Sequence, residues 1–125
     1  MLFRSMGDSD APALFGYVAK QLDARGVAFI CTREYLDGTS LAPKIRENFK
    51  GVFIANEKHT PESAEALVEQ GGADAVAFGK LFIANPDLPA RIAAKASLNA
   101  WNAATFYAKG AEGYTDYPAL ETEPA

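Results

Sequence analysis

The chain has 125 residues, 49% hydrophobic, 22% charged and 11% aromatic, the composition of one ordinary globular domain and not of a disordered tail. Its formal charge of −4, from 12 Lys plus Arg against 16 Asp plus Glu without like-charge blocks, excludes recruitment of nucleic acid or an anionic membrane surface by bulk electrostatics. A single cysteine, Cys31, excludes an internal disulfide framework and a structural zinc site; with neither a signal-like N-terminus nor a membrane-length apolar run, the expected compartment is the cytoplasm.

In chain order, the first predicted element is a helix over 10–25. Ser9 or Asp10 is available to cap it, Leu14, Val18 and Leu22 form a stripe turned to the sheet, and Gly26 lies beyond its end. A first strand follows over Gly26–Cys31, which places Cys31 as an inert buried thiol. Leu41–Lys50 reads as a shorter helix with Ile45 and Phe49 on one side, and Gly51–Ala55 as a second strand. The third helix has the clearest punctuation: Thr60 to cap it, Pro61 in its first turn, Ala64, Leu67 and Val68 as its stripe, and Gly71-Gly72 to stop it. His59, just before it, reads as an exposed loop residue. A third strand is expected over Ala73–Gly79, and a fourth helix from Asn85-Pro86-Asp87 through Leu88 and Ile92 towards Ala96.

The strand runs recur about every 25 residues and lack polar alternation, the pattern of parallel strands buried on both faces. Helices alternating with such strands require right-handed crossovers and an α/β architecture. From Ser97 to Ala125 the rhythm stops, and an aromatic, glycine-bearing stretch with an acidic end reads as a loop-rich tail. Three strands cannot close a barrel, which takes eight of this repeat, and they leave two open edges suited to self-association or to a partner chain.

Two strings carry a resemblance. Ala77-Phe78-Gly79-Lys80-Leu81-Phe82-Ile83-Ala84-Asn85-Pro86-Asp87-Leu88 is similar to the Phe-Gly-Arg-x-Phe-Ile-x-Asn-Pro-Asp-Leu pattern of the old yellow enzyme family, flavin-dependent ene-reductases on a (β/α)8 TIM barrel. Phe106-Tyr107 followed by Gly113-Tyr114-Thr115-Asp116-Tyr117-Pro118 resembles its closing pattern, and Met6–Asp10 leading into Leu14–Tyr17 resembles its passage from the fifth strand into the fifth helix.

The resemblance implies a fold class of C-terminal βα units, strands six to eight of a TIM barrel, in one partial domain over 1–125 with 97–125 as its tail. It implies FMN as cofactor, NADH or NADPH as the reductant of the complete enzyme, and activated alkenes as electrophiles. Gly79 and Lys80 stand where the family has a Gly-Arg pair at the FMN phosphate, with Phe78 before them. Lysine there offers a point charge in place of a planar fork. Ala55, Asn56 and Glu57 occupy the turn after strand seven, often glycine-containing in the family, where backbone amides are candidate donors and the Glu57 carboxylate must point away or be paired. Phe106 would lie against the flavin edge and Tyr107 would face the substrate, although an adjacent aromatic pair also suits a core that anchors the tail. The family's strand-four pair that anchors the substrate, His with His or Asn, its proton-donating tyrosine and its strand-five arginine are expected upstream of Met1, so no catalytic residue is assigned. The alternatives are a self-associating, non-enzymatic remnant and a subunit that docks with a separately encoded N-terminal half.

Overall fold

A computed structural model of the chain describes residues 9–33 and 40–120. Two compact units divide it, Met1–Ala77 and Phe78–Ala125.

The first unit opens with α1 (Ala11–Ala24), where the Asp10 carboxylate accepts from the Ala13 N–H at 3.2 Å and satisfies a free donor of the first turn. Gly26, at φ +66°, turns the chain out of the helix. Then come β1 (Phe29–Cys31), α2 (Ala42–Asn48), β2 (Val52–Asn56), α3 (Pro61–Glu69) and β3 (Ala75–Ala77). At the start of α3 the Thr60 hydroxyl accepts from the Ser63 N–H at 3.2 Å, and the Ser63 hydroxyl accepts from the Thr60 N–H at 2.9 Å. The strands form one parallel sheet in the order β1-β2-β3, with Ile30 opposite Phe53 and Ala55 opposite Val76.

That register puts Ile30, Phe53, Ala55 and Val76 on one face, where Phe53 is fully buried with Phe49, Ile45, Ala42 and Ala19. A side-chain clamp secures the same face. Asp74 accepts two bonds from the Arg46 guanidinium, at 2.6 and 2.9 Å, and a third from the Phe53 N–H at 2.8 Å.

Several expectations are corrected here. The strands are not buried on both faces: Phe29 and Val52 remain 56% and 47% exposed, Ile54 is half-buried, and Cys31 is exposed rather than buried. Within the first unit, α1, α2 and α3 contribute to the core on the Phe53 face. On α1 the buried positions are Gly16 and Ala19, while Leu14 and Val18 stay exposed. Small residues let α1 approach α2 closely, since a Cβ on Gly16 would stand 3.2 Å from the Lys44 side chain. Val68 is likewise exposed on α3. His59 is buried, not exposed, at 7% accessibility.

The second unit contains α4 (Lys80–Ala84), absent from the expected elements, and α5 (Leu88–Ala93). From Ser97 to Leu120 the chain runs in turns, bonded back to the helices by polar side chains. Asn85, fully buried, donates to the Leu81 carbonyl at 2.9 Å and accepts from the Asn99 N–H at 2.7 Å. Arg91, only 4% exposed, donates to the Asp87 carboxylate at 2.7 Å, the Ser97 carbonyl at 2.7 Å and the Pro118 carbonyl at 2.8 Å. The second Asp87 oxygen accepts from the Leu120 N–H at 2.7 Å. Asn85 and Asp87, the polar members of the Asn-Pro-Asp string, are thus the posts to which the tail is tied.

Candidate functional site

Gly79 stands between β3 and α4 as the residue before the first helical turn, at φ −88°. Glycine is needed elsewhere for identifiable reasons. Gly113 combines φ +62° with direct contact between any added Cβ and the Thr105 side chain, and an added Cβ on Gly72 would stand 2.6 Å from Leu67. At Gly79 neither reason holds: its φ is ordinary and an added Cβ meets nothing within 4 Å. Open space where a side chain would stand is what close approach of a ligand to backbone requires.

Lys80 follows at the first position of α4. Its ammonium lies 4.7 Å from the centroid of the Trp101 ring, and that ring lies 6.1 Å from Phe106 at an interplanar angle of 38°. The structure therefore brings two predicted site residues, Lys80 and Phe106, onto one aromatic residue that sequence reasoning passed over. Phe106 is half-buried, whereas Tyr107 is 99% exposed. Phe78 is half-buried between β3 and Gly79.

In the first unit, Ala55 and Asn56 end β2. Ala55 is 4% exposed on the helix-covered face, which leaves its side chain no part in binding. Asn56 lies on the opposite face, in register with Ala77. Glu57 and Lys58 follow with φ of +102° and +57°, a turn of the type glycine favours, held here by two residues with side chains. The Glu57 carboxylate accepts from Arg33 Nε at 2.6 Å, so its charge is paired. Arg33, just beyond β1, is a second residue not picked out from sequence; its place after a parallel strand's C-terminal end was the available signal.

Burial pushes the His59 imidazole below its ordinary pKa, and its Nδ1 has no hydrogen-bond partner among the described residues. Asp74 is held low mainly by the Arg46 bond and then by the Phe53 amide, and Asp87 mainly by the Leu120 amide and then by Arg91. A separate cleft of about 370 Å³ between α1, β1 and α2, lined chiefly by Phe15, Val18, Leu22, Ile30, Leu41 and Ile45, contains none of the predicted site residues.

Among the described residues no helix is long and apolar enough to cross a membrane. No family model matches the chain. Individual relatives do, and they are of one class. A 12-oxophytodienoate reductase-like protein of Solanum lycopersicum is 40% identical over 122 residues, covering 95% of this chain and 34% of its own length. A probable flavin mononucleotide-dependent alkene reductase of Leishmania infantum is also 40% identical over 122 residues, covering 93% and 33%.

Solved structures agree. The old yellow enzyme homologue from Zymomonas mobilis superposes with a TM-score of 0.85 at 41% identity over 90% of this chain and 34% of that one. Morphinone reductase in complex with tetrahydroNAD gives 0.84 at 41% identity over 92% and 32%. The chain is homologous to old yellow enzyme-type reductases along almost its whole length. It spans about a third of the length of the curated relatives it matches.

Proposed function

We propose that this chain carries the FMN phosphate-binding segment of a flavin-dependent oxidoreductase, with Gly79 and Lys80 as the residues that meet the phosphate. The observation that carries the reading is the pairing of an unfilled glycine position with the first cation of α4. Its support is the kinship to a flavin mononucleotide-dependent alkene reductase and to morphinone reductase. Bound FMN supplies hydride chemistry, from NADH or NADPH to an activated alkene, and the protein's part is to anchor and orient it. Gly79 leaves room for the anion at the backbone and Lys80 supplies a point charge for it. Phe78 and Phe106 are the further cofactor contacts of this reading in the second unit, with Tyr107 towards the substrate, and the turn Ala55-Asn56-Glu57 is the first unit's own candidate. On this reading strands β1, β2 and β3 correspond to strands six to eight of a TIM barrel, and the face that carries the exposed Phe29 and Val52 to its interior.

The exposed Phe29 and Val52 of that face favour a second reading, in which the chain associates with its own copy or with a separately made barrel half. A titration separates the two. The purified chain is titrated with FMN and with riboflavin, which lacks the phosphate, as wild type and as Lys80→Ala. The expected result is saturable FMN binding weakened about tenfold by Lys80→Ala, with riboflavin affinity unchanged. FMN affinity insensitive to Lys80→Ala overturns the phosphate assignment, and a folded oligomer without flavin affinity favours the second reading.

A further inference from the structure

The indole of Trp101 bears on the phosphate contact without being part of the resemblance that suggested it. A lysine reaching for an anion must surrender the rotamer freedom of a four-carbon stem, which weakens each contact it makes. Here the freedom is already restricted: Lys80 Nζ lies over the Trp101 ring, 4.7 Å from its centroid, and indole is the best of the aromatic faces for a cation. Trp101 is in turn steadied by Phe106, whose ring tilts against it at 6.1 Å, and by a backbone bond one residue on, where the Asn102 N–H donates to the Tyr117 hydroxyl at 3.0 Å. The attraction to the ring occupies one side of the ammonium, and its N–H donors on the far side are left to an anion. The open position of Gly79 is the residue next door.

We infer that Trp101 is a positioning residue for phosphate recognition: it holds the Lys80 ammonium over its indole face and so raises the chain's preference for a flavin that carries a phosphate over one that does not. The inference rests on the phosphate role proposed for Lys80. It assigns Phe106 an effect on the anion transmitted through Trp101.

The test compares the ratio of FMN to riboflavin affinity in wild type, Trp101→Ala, Trp101→Leu, Trp101→Phe, Lys80→Ala and the Lys80→Ala/Trp101→Ala double variant. Trp101→Ala is expected to lower the ratio about two- to fivefold. Trp101→Leu keeps apolar bulk without a π face and is expected to match Ala, while Trp101→Phe keeps most of the ratio. In the Lys80→Ala background the Trp101 substitution is expected to have no further effect on the ratio. A wild-type ratio in Trp101→Leu overturns the inference, because packing alone would then explain the contact. If Lys80→Ala lowers the ratio and Trp101→Ala does not, positioning by Trp101 fails while the phosphate role of Lys80 stands. If neither moves it, the phosphate role fails and takes the inference with it. Trp101 is the chain's single tryptophan, so its emission reads the contact without flavin. Lys80→Met is expected to change that emission, and an unchanged spectrum also counts against the contact.

Discussion

The two units of this chain are held together by different physics. The first is an apolar layer: Phe53, Phe49 and Ala19 are at most 1% exposed, and the sheet and helices meet through them. The second has short helices, five and six residues, which are too short to persist alone in water. Its most buried side chains include Asn85 and Arg91, whose bonds run to chain segments far away in sequence. A buried guanidinium is costly unless fully partnered, and Arg91 has a carboxylate and two carbonyls. The comparison teaches that polar residues of a string distinctive of a family can serve the fold itself. Asn85 and Asp87 orient the tail that carries Trp101 and Phe106, and within that string the phosphate role is proposed for Gly79 and Lys80.

The strongest way to break the comparison is Phe53→Ala. Losing a fully buried aromatic is expected to cost about 3–5 kcal/mol, read as a lower denaturant midpoint and as faster amide exchange confined chiefly to residues 29–77. Exchange rising equally in 78–120 would show that the apolar layer stabilises both units. Arg91→Met is the complementary test, with an expected cost of about 3 kcal/mol from carbonyls and a carboxylate left without their donor. Its exchange signature should fall on Asn99 and Leu120, whose amides donate to Asn85 and Asp87. A loss below about 1 kcal/mol would mean that the tail is held by its turns and not by the guanidinium.

Much of this architecture was legible because its punctuation is local. Thr60-Pro61 and Gly71 bracket α3, and Asp10 and Gly26 bracket α1, through interactions within a few residues. Which face a helix buries was less legible. The larger residues Leu14 and Val18 suggested one stripe, but the small residues Gly16 and Ala19 form the contact, because close helix approach rewards the absence of a side chain. Helix α4 was hidden because its apolar core, Leu81-Phe82-Ile83, is too short for periodicity to tell a helix from an extended segment. At the candidate site, a contiguous motif points to Gly79 and Lys80. It does not point to Trp101 or Arg33, since each acts on a residue distant in sequence and no spacing rule connects them.

The smallest expected effect sharpens the comparison through pH, because the two units carry different titrating groups. His59 in the first unit is buried and its pKa lies below the ordinary 6.5, so between the two values the unfolded chain binds more protons than the folded one. Stability of the first unit is therefore complete above about pH 6.5 and falls as the pH drops towards the folded pKa, below which this contribution has no further slope. Asp87 in the second unit is displaced the other way relative to its charge: its carboxylate is favoured by the Leu120 amide and Arg91. Its contribution is present above the ordinary carboxylate value of 3.8 and is lost as pH falls through the lower folded value. Amide exchange followed from pH 7.5 to 3, corrected for intrinsic rates, should thus show protection weakening first in 29–77 and only later in 78–120. His59→Phe, which keeps a ring of similar size and removes the titration, should abolish the early loss and leave the late one. An early loss that survives His59→Phe would assign it to another group of the first unit, and simultaneous losses in both segments would mean that acid unfolds them as one.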